Sequence, residues 1–403
     1  MDKKILWKKN TIGVKEKKSV EFLSKREIEK VKKFHESFPQ YSETPLVNLS
    51  NLAKKIGLGG IYVKDESYRF GLNAFKVLGG SFAMGNYLAQ KLNRDISELG
   101  YAKVTSDKVR KQLGEITFIT ATDGNHGRGV AWTASQLKQK SVVYMPKGSS
   151  QSRFQNIKNE GADVTITDLN YDDAVRLANK HAEENGWVMV QDTAWEGYED
   201  IPTWIMQGYG TMSLEALEQL KKLEVERPTH IFIQAGVGSL AGSVQGFFAS
   251  AFGENCPRTV VVEADEAACL YKSAVANDGK VRSVGGDMPT IMAGLACGEA
   301  NTIGWEVLKS YSSEFIACPD WVTAKGMRVL GNPLKGDTRV ISGESGAVTT
   351  GLLCSIMTRD DLKGLREELE LDENSKVLLF STEGDTDPDK YRRIVWDGEY
   401  QSI

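Results

Sequence analysis

No stretch of the 403-residue sequence stays apolar for the roughly 20 residues that a bilayer crossing needs, so a membrane span is not expected. The four histidines are scattered. Five cysteines, at 256, 269, 297, 318 and 354, nowhere form a CxxC pair, which leaves a structural zinc site without a ligand set, and no metal is expected. Cysteines placed this way read as buried thiols in a cytoplasmic protein, although a redox-sensitive pair of Cys269 and Cys297, both in segments expected near a ligand cleft, stays open. Charge of one sign is lacking too. With 50 Lys and Arg against 54 Asp and Glu the formal charge is -4, which gives neither nucleic acid nor an anionic membrane a reason to bind. The one basic cluster is Lys3, Lys4, Lys8, Lys9, Lys15, Lys17 and Lys18. No apolar core of signal-peptide length follows it, so export is not expected, and residues 1–40 read as a solvated arm suited to lie across a partner subunit. Internal repeats, low-complexity tracts and long Pro/Ser linkers are also missing, which favours interwoven lobes over beads on a string.

What is present suits two packed lobes sharing a cleft: sufficient length and 41% hydrophobic residues. From Ile61 onward, short β-branched runs alternate with longer amphipathic stretches, the pattern of parallel strands covered by helices. Strands are expected at 61–63, 117–120, 141–145, 163–167, 188–191, 231–234, 259–263 and 377–380. Helices are expected at 127–137, 152–160, 171–185, 209–223 and 240–251. Asp123, Asn125, Asp192, Gly236 to Ser239 and Ser381 all fall just past a strand's C-terminal end, where open α/β sheets bind ligands.

The most informative feature is an ordered trio. Lys76, in Asn73-Ala74-Phe75-Lys76, opens a helical pattern; the loops Asp123-Gly124-Asn125-His126-Gly127 and Gly236-Val237-Gly238-Ser239 follow. A lysine at the positive end of a helix dipole loses proton affinity, as an amine that attacks an aldehyde must. A strand, a glycine turn and a helix around residue 236 make a phosphate cradle, because backbone N–H groups converge with no side chain in the way. Taken singly, the lysine reads as a solvated side chain and the glycines as a tight turn.

Together these residues resemble the fold type II pyridoxal-phosphate enzymes, the group of serine and threonine dehydratases, threonine synthase and the tryptophan synthase β subunit. The family's lysine, asparagine loop, phosphate loop and late Ser or Thr fall on Lys76, Thr122 to His126, Gly236 to Leu240, and Ser381. The likeness runs over nearly the whole chain after about residue 40. Within the group, Thr120 to Gly127, Gln191 to Tyr198 and Ser381 to Pro388 are most similar to the ammonia-lyases that act on 2,3-diaminopropionate.

The resemblance implies two interwoven open-sheet α/β lobes with the active site in the cleft between them, and a homodimer. Residues 41–75 and 201–403 would form the large domain that binds pyridoxal 5'-phosphate, and 76–200 the small domain. It further implies that Lys76 bonds the cofactor's aldehyde and then acts as a base. Phe75 would pack near the ring, Asn125 would hydrogen-bond the phenolic oxygen, and Gly236, Val237, Gly238, Ser239 and Leu240 would hold the phosphate. Ser381 would face the pyridine nitrogen, and Thr122 the carboxylate of an amino-acid substrate. Asp123 and Asp192 are placed to keep a leaving amine at Cβ protonated, and two bases on opposite faces would admit both D and L isomers. Other readings stand beside these: Asp123 as a helix cap, Asp192 as a turn residue, and His126 as either a ligand contact or loop packing. A serine or threonine dehydratase would use the same cofactor without a second ammonium to hold. A non-catalytic phosphate- or nucleotide-binding module would leave Lys76 as an ion-pair partner.

Overall fold

The computed structural model describes residues 3–13, 16–122 and 124–401. Lys15 and Asp123 lie outside them. Eleven strands form among the described residues: β1 (Leu6–Lys9), β2 (Leu46–Asn48), β3 (Gly60–Asp65), β4 (Thr117–Ala121), β5 (Lys140–Met145), β6 (Asp163–Ile166), β7 (Val188–Met189), β8 (His230–Gln234), β9 (Arg258–Ala264), β10 (Glu314–Cys318) and β11 (Lys376–Ser381). All eight expected strands are among them.

Seven strands make one sheet in the order β1-β10-β9-β8-β11-β3-β2, and four make another in the order β6-β5-β4-β7. The smaller sheet is parallel throughout. In the larger one only the edge strands β1 and β2 run antiparallel to their neighbours. The central strands are buried along almost their whole length because helices cover both faces. Ile231 and Ile233 of β8, Val261 of β9 and Leu378 of β11 face one core. Phe232, Val260, Val262, Val377 and Leu379 face the other.

Three strands escaped the sequence reading. Leu6–Lys9 is no mere solvated arm, since it pairs with β10 and Asn10 Nδ2 donates to the carbonyls of Lys309 and Ser312. An edge strand with Leu6 and Trp7 both exposed shows no apolar alternation, so backbone pairing places it rather than burial. β2 and β10 are short, three and five residues. The helix expected from residue 209 begins at Asp200, because Pro202 sits in a first turn whose N–H groups have no intrahelical partner anyway.

A fully buried ion network braces the segment leading to Lys76. Glu215 Oε2 lies 2.7 Å from both Lys64 Nζ and Arg69 Nη2, and Arg69 Nε lies 2.8 Å from Glu66 Oε2. Burial alone would raise Glu215, but the Arg69 and Lys64 charges hold it well below the usual carboxylate range. The four charges cancel. The described residues contain no helix long and apolar enough to cross a membrane.

Candidate active site

Lys76 is placed by backbone lacing between two chain segments far apart in sequence. Phe75 N donates to the Thr382 carbonyl at 3.0 Å, Gly384 N to the Asn73 carbonyl at 3.1 Å, and Ala74 forms a bridge with Glu383. Lys76 then caps the helix Val77–Lys91. Its Nζ donates to Asp192 Oδ2 at 2.7 Å. Asp192 follows β7, and its main-chain carbonyl is held by Ser239 Oγ, which itself accepts from Asn301 Nδ2 at 2.7 Å. Burial would raise the Asp192 carboxyl; the Lys76 ammonium, with His126 adding to it, overrides this and holds it at about 2.

His126 Nε2 lies 2.8 Å from the Val190 carbonyl, which can only accept, so this nitrogen carries hydrogen. Its Nδ1 faces Asp192 Oδ2 at 4.0 Å. Thr122 Oγ1 accepts from the N–H groups of Gly124 and Gly127, at 2.9 and 3.1 Å, so its lone pairs serve the loop and its hydrogen remains for a ligand. Asn125 Nδ2 donates to Glu383 Oε2. Asp123 lies outside the described residues.

After β8 the chain turns through Gly238 at φ +95, a left-handed backbone that a side chain would strain, and enters the helix Ser239–Phe252. Among the described residues, no backbone carbonyl takes the N–H groups of residues 236 to 240. They stand at the positive end of a helix, where backbone donors are left over for a ligand.

Phe75, Lys76, Asn125, Asp192 and Gly236 to Leu240 line one cavity of about 550 Å³, open mouth included. Thr122 and His126 line the adjoining outer cleft, which Lys76 also borders. Ser381 ends β11 with its hydroxyl buried and unpartnered among the described residues, just behind the cavity wall. The wall at this strand end is made by Thr382 and Glu383 instead. The sequence reading missed Tyr209, Gln234, Gly294 and Leu295, while Cys297, expected near the cleft, does line the cavity; it noted Gly343-Glu344-Ser345-Gly346 without assigning it, and Ser345 belongs to the wall. Cys269 and Cys297 are thiols, not a disulfide.

Pyridoxal phosphate, which the resemblance implies, suits this cavity. Three buried polar atoms of its wall, Tyr209 OH, Gln234 Oε1 and Ser345 Oγ, have no hydrogen-bond partner among the described residues. An amide cradle for a phosphate stands at one side and a primary amine for an aldehyde at the other. Around that amine the arrangement offers proton transfer: one buried carboxylate, one imidazole and one lysine.

The sequence matches the family described as pyridoxal-phosphate dependent enzyme over residues 38–379. It is 56% identical over 366 residues to the diaminopropionate ammonia-lyase of Salmonella typhimurium, covering 91% of each chain. To that of Escherichia coli it is 50% identical over 378 residues, covering 94% of this chain and 93% of the other. The Escherichia coli enzyme in complex with D-serine superposes with a TM-score of 0.92 at 47% identity, over 98% of both chains. The same enzyme in complex with an aminoacrylate-PLP azomethine reaction intermediate gives 0.91 at 47% identity, over 99% of this chain and 98% of that one.

Proposed function

Because this chain belongs to the pyridoxal-phosphate dependent enzymes, we propose that it eliminates ammonia from 2,3-diaminopropionate, D and L isomers alike, leaving pyruvate and a second ammonia. The observation that carries this reading is the Asp192 carboxylate, buried in the cavity and already gripping an alkylammonium, that of Lys76, at 2.7 Å. When the Lys76 nitrogen is engaged with a carbonyl carbon, the same carboxylate is offered to the second ammonium of a diamine. A substrate with a hydroxyl at Cβ has no charge to meet it.

Lys76 and the amides of residues 236 to 240 would hold the cofactor at its aldehyde and its phosphate. Asn125 would meet the phenolic oxygen, with Phe75 beside the ring and the end of β11 toward the pyridine nitrogen, Thr382 in the wall and the buried Ser381 hydroxyl next to it in the chain. When bound, the cofactor supplies an electron sink for the pair left at Cα. Lys76, released as a free amine, takes the Cα proton on one face, and Asp123 takes it on the other. Asp192 keeps the Cβ amine protonated, so the C–N bond breaks with its electron pair leaving on neutral ammonia. Thr122, at the cavity mouth, donates to the substrate carboxylate. The released 2-aminoacrylate reacts with water to give pyruvate and the second ammonia. The small domain of residues 76–200 closes on the large one to keep water from the carbanion. We place the enzyme in the cytoplasm as a homodimer.

The test is substrate profiling of the purified protein. It should carry a visible band that borohydride removes, and it should release pyruvate from diaminopropionate faster than from serine; a preference for serine would overturn the reading. Asp123→Asn should cost turnover of the D isomer more than that of the L isomer, and equal losses would refute that division of labour.

A further inference from the structure

The helix Asp200–Lys222 crosses the helix Val77–Lys91 where both carry glycine. A Cβ on Gly208 would lie 2.3 Å from the Leu78 carbonyl oxygen, and one on Gly79 would lie 2.6 Å from Tyr209 Cε1. This close approach seats Tyr209 against the first turn of the helix that Lys76 caps. The Tyr209 ring meets Phe75 with centroids 4.7 Å apart, and the residue is 1% exposed. It lines the cavity with Lys76, Asp192 and the 236–240 loop, yet its hydroxyl has no hydrogen-bond partner among the described residues.

A phenol hydroxyl buried without a partner is costly, so this one calls for an atom that the chain alone does not supply. Burial first, and the Asp192 charge second, push Tyr209 far above its ordinary value, which keeps it protonated and able to donate. The packing of its helix bears on which atom that is. One turn earlier, the Met206 carbonyl accepts from Ser243 Oγ at 2.5 Å, and Met206 Cε would lie 3.1 Å from a Cβ on Gly242. The helix carrying Tyr209 is therefore packed against the first turns of the helix whose N-terminus is the glycine cradle.

We propose that Tyr209 is a further binding residue of this cavity, its hydroxyl donating a hydrogen bond to an oxygen of the phosphate that the 236–240 amides cradle. The proposal rests on the cofactor reading given above. It deepens that reading: the phosphate is held from two elements, a loop of backbone donors and one side chain from the helix that crosses the lysine's own.

The experiment compares wild type and Tyr209→Phe as full-length cofactor-free protein. Each is titrated with pyridoxal 5'-phosphate and with pyridoxal, which lacks the phosphate, by the visible band; inorganic phosphate serves as a competing probe. Losing a hydrogen bond to a charged group should raise the Kd for pyridoxal 5'-phosphate about tenfold or more and weaken competition by phosphate in parallel. The phosphorus-31 resonance of the bound cofactor should move, and pyridoxal binding should stay as in wild type. Thermal stability of the cofactor-free variant should be equal or higher, because only an unpartnered hydroxyl is removed. Unchanged binding of pyridoxal 5'-phosphate would overturn the proposal. So would an equal loss for pyridoxal, which assigns the hydroxyl to the ring, or a change confined to KM for diaminopropionate, which assigns it to the substrate. Wild type that develops no visible band at all would instead defeat the cofactor reading itself.

Discussion

The Lys76–Asp192 pair can be weighed without any ligand. Its atoms are 2.7 Å apart, and the two side chains are 19% and 5% exposed, so water screens the contact little. Folding takes the Asp192 carboxyl from 3.8 to about 2, which is worth about 2 kcal/mol of stability at neutral pH. Because the folded value is the lower one, the unfolded chain binds more protons across that window. The contribution is therefore complete above about pH 4, falls to roughly half near pH 3 and is nearly gone below about pH 2.

A double-mutant cycle isolates it. Lys76→Met, Asp192→Asn and the double variant, all cofactor-free, are unfolded in urea while tryptophan emission is followed. The coupling energy should be about 2 kcal/mol near neutral pH and about half that near pH 3. Asp192→Asn alone leaves the lysine charge facing an amide, so it should cost at least as much as the coupling. A coupling under about 0.5 kcal/mol, or one that does not shrink in acid, would show that the pair is held by its surroundings and contributes little itself.

Glu263 is a second pH-dependent group of opposite sign: burial raises its carboxyl to about 8 despite the N–H groups of Leu270 and Tyr271 that it accepts. Its folded value is the higher one, so it removes stability as pH rises from about 4.5 to about 8, and Glu263→Gln should lose less than wild type over that range by thermal melting. Gly238→Ala has room, with Leu270 Cδ1 at 3.4 Å, but φ +95 strains it; cofactor affinity measured by the visible band should fall by the equivalent of about 1–2 kcal/mol. Arg69→Met strips the buried Glu66 and Glu215 of their shared partner and should destabilise the cofactor-free protein by about 3–5 kcal/mol in urea, while Arg26→Met, on an exposed pair, should change little.

The helix-dipole and glycine-loop arguments located Lys76 and residues 236 to 240 because each is a local pattern, with strand, turn and helix adjacent in the chain. Asn125 and Asp192 were legible for the same reason, since each lies a few residues past a strand end. Tyr209, Gln234, Ser345 and Glu383 reach the cavity through packing that no local pattern reports. Tyr209 lies in mid-helix and is selected by a glycine crossing. Gln234 is the last residue of β8, its Nε2 donating to the Phe380 carbonyl and Thr382 Oγ1 of the neighbouring strand end. The shift from Ser381 to Thr382 as the wall residue is of this kind too. Period-2 alternation settles which residues share a face, but not how far a strand runs before its last side chain meets open space.

Glu383 brings these observations together. Its main chain bridges Ala74, just ahead of Lys76, while its side chain accepts from Asn125 Nδ2 of the loop after β4. A single residue, two past the end of β11 of the large sheet, thus touches both the lysine segment and the asparagine loop of the small one. The Lys76–Asp192 contact closes the same circuit from the other side, through the segment after β7. The two ties are unlike chemically: one is an amide on a carboxylate, the other an ammonium on a carboxylate. If the Lys76 nitrogen is engaged with a carbon, as proposed, only the second tie is weakened, and the Asp192 side of the cleft would be the side open to a cationic guest. The Asn125–Glu383 tie on the opposite side does not involve that nitrogen and would be left as it is.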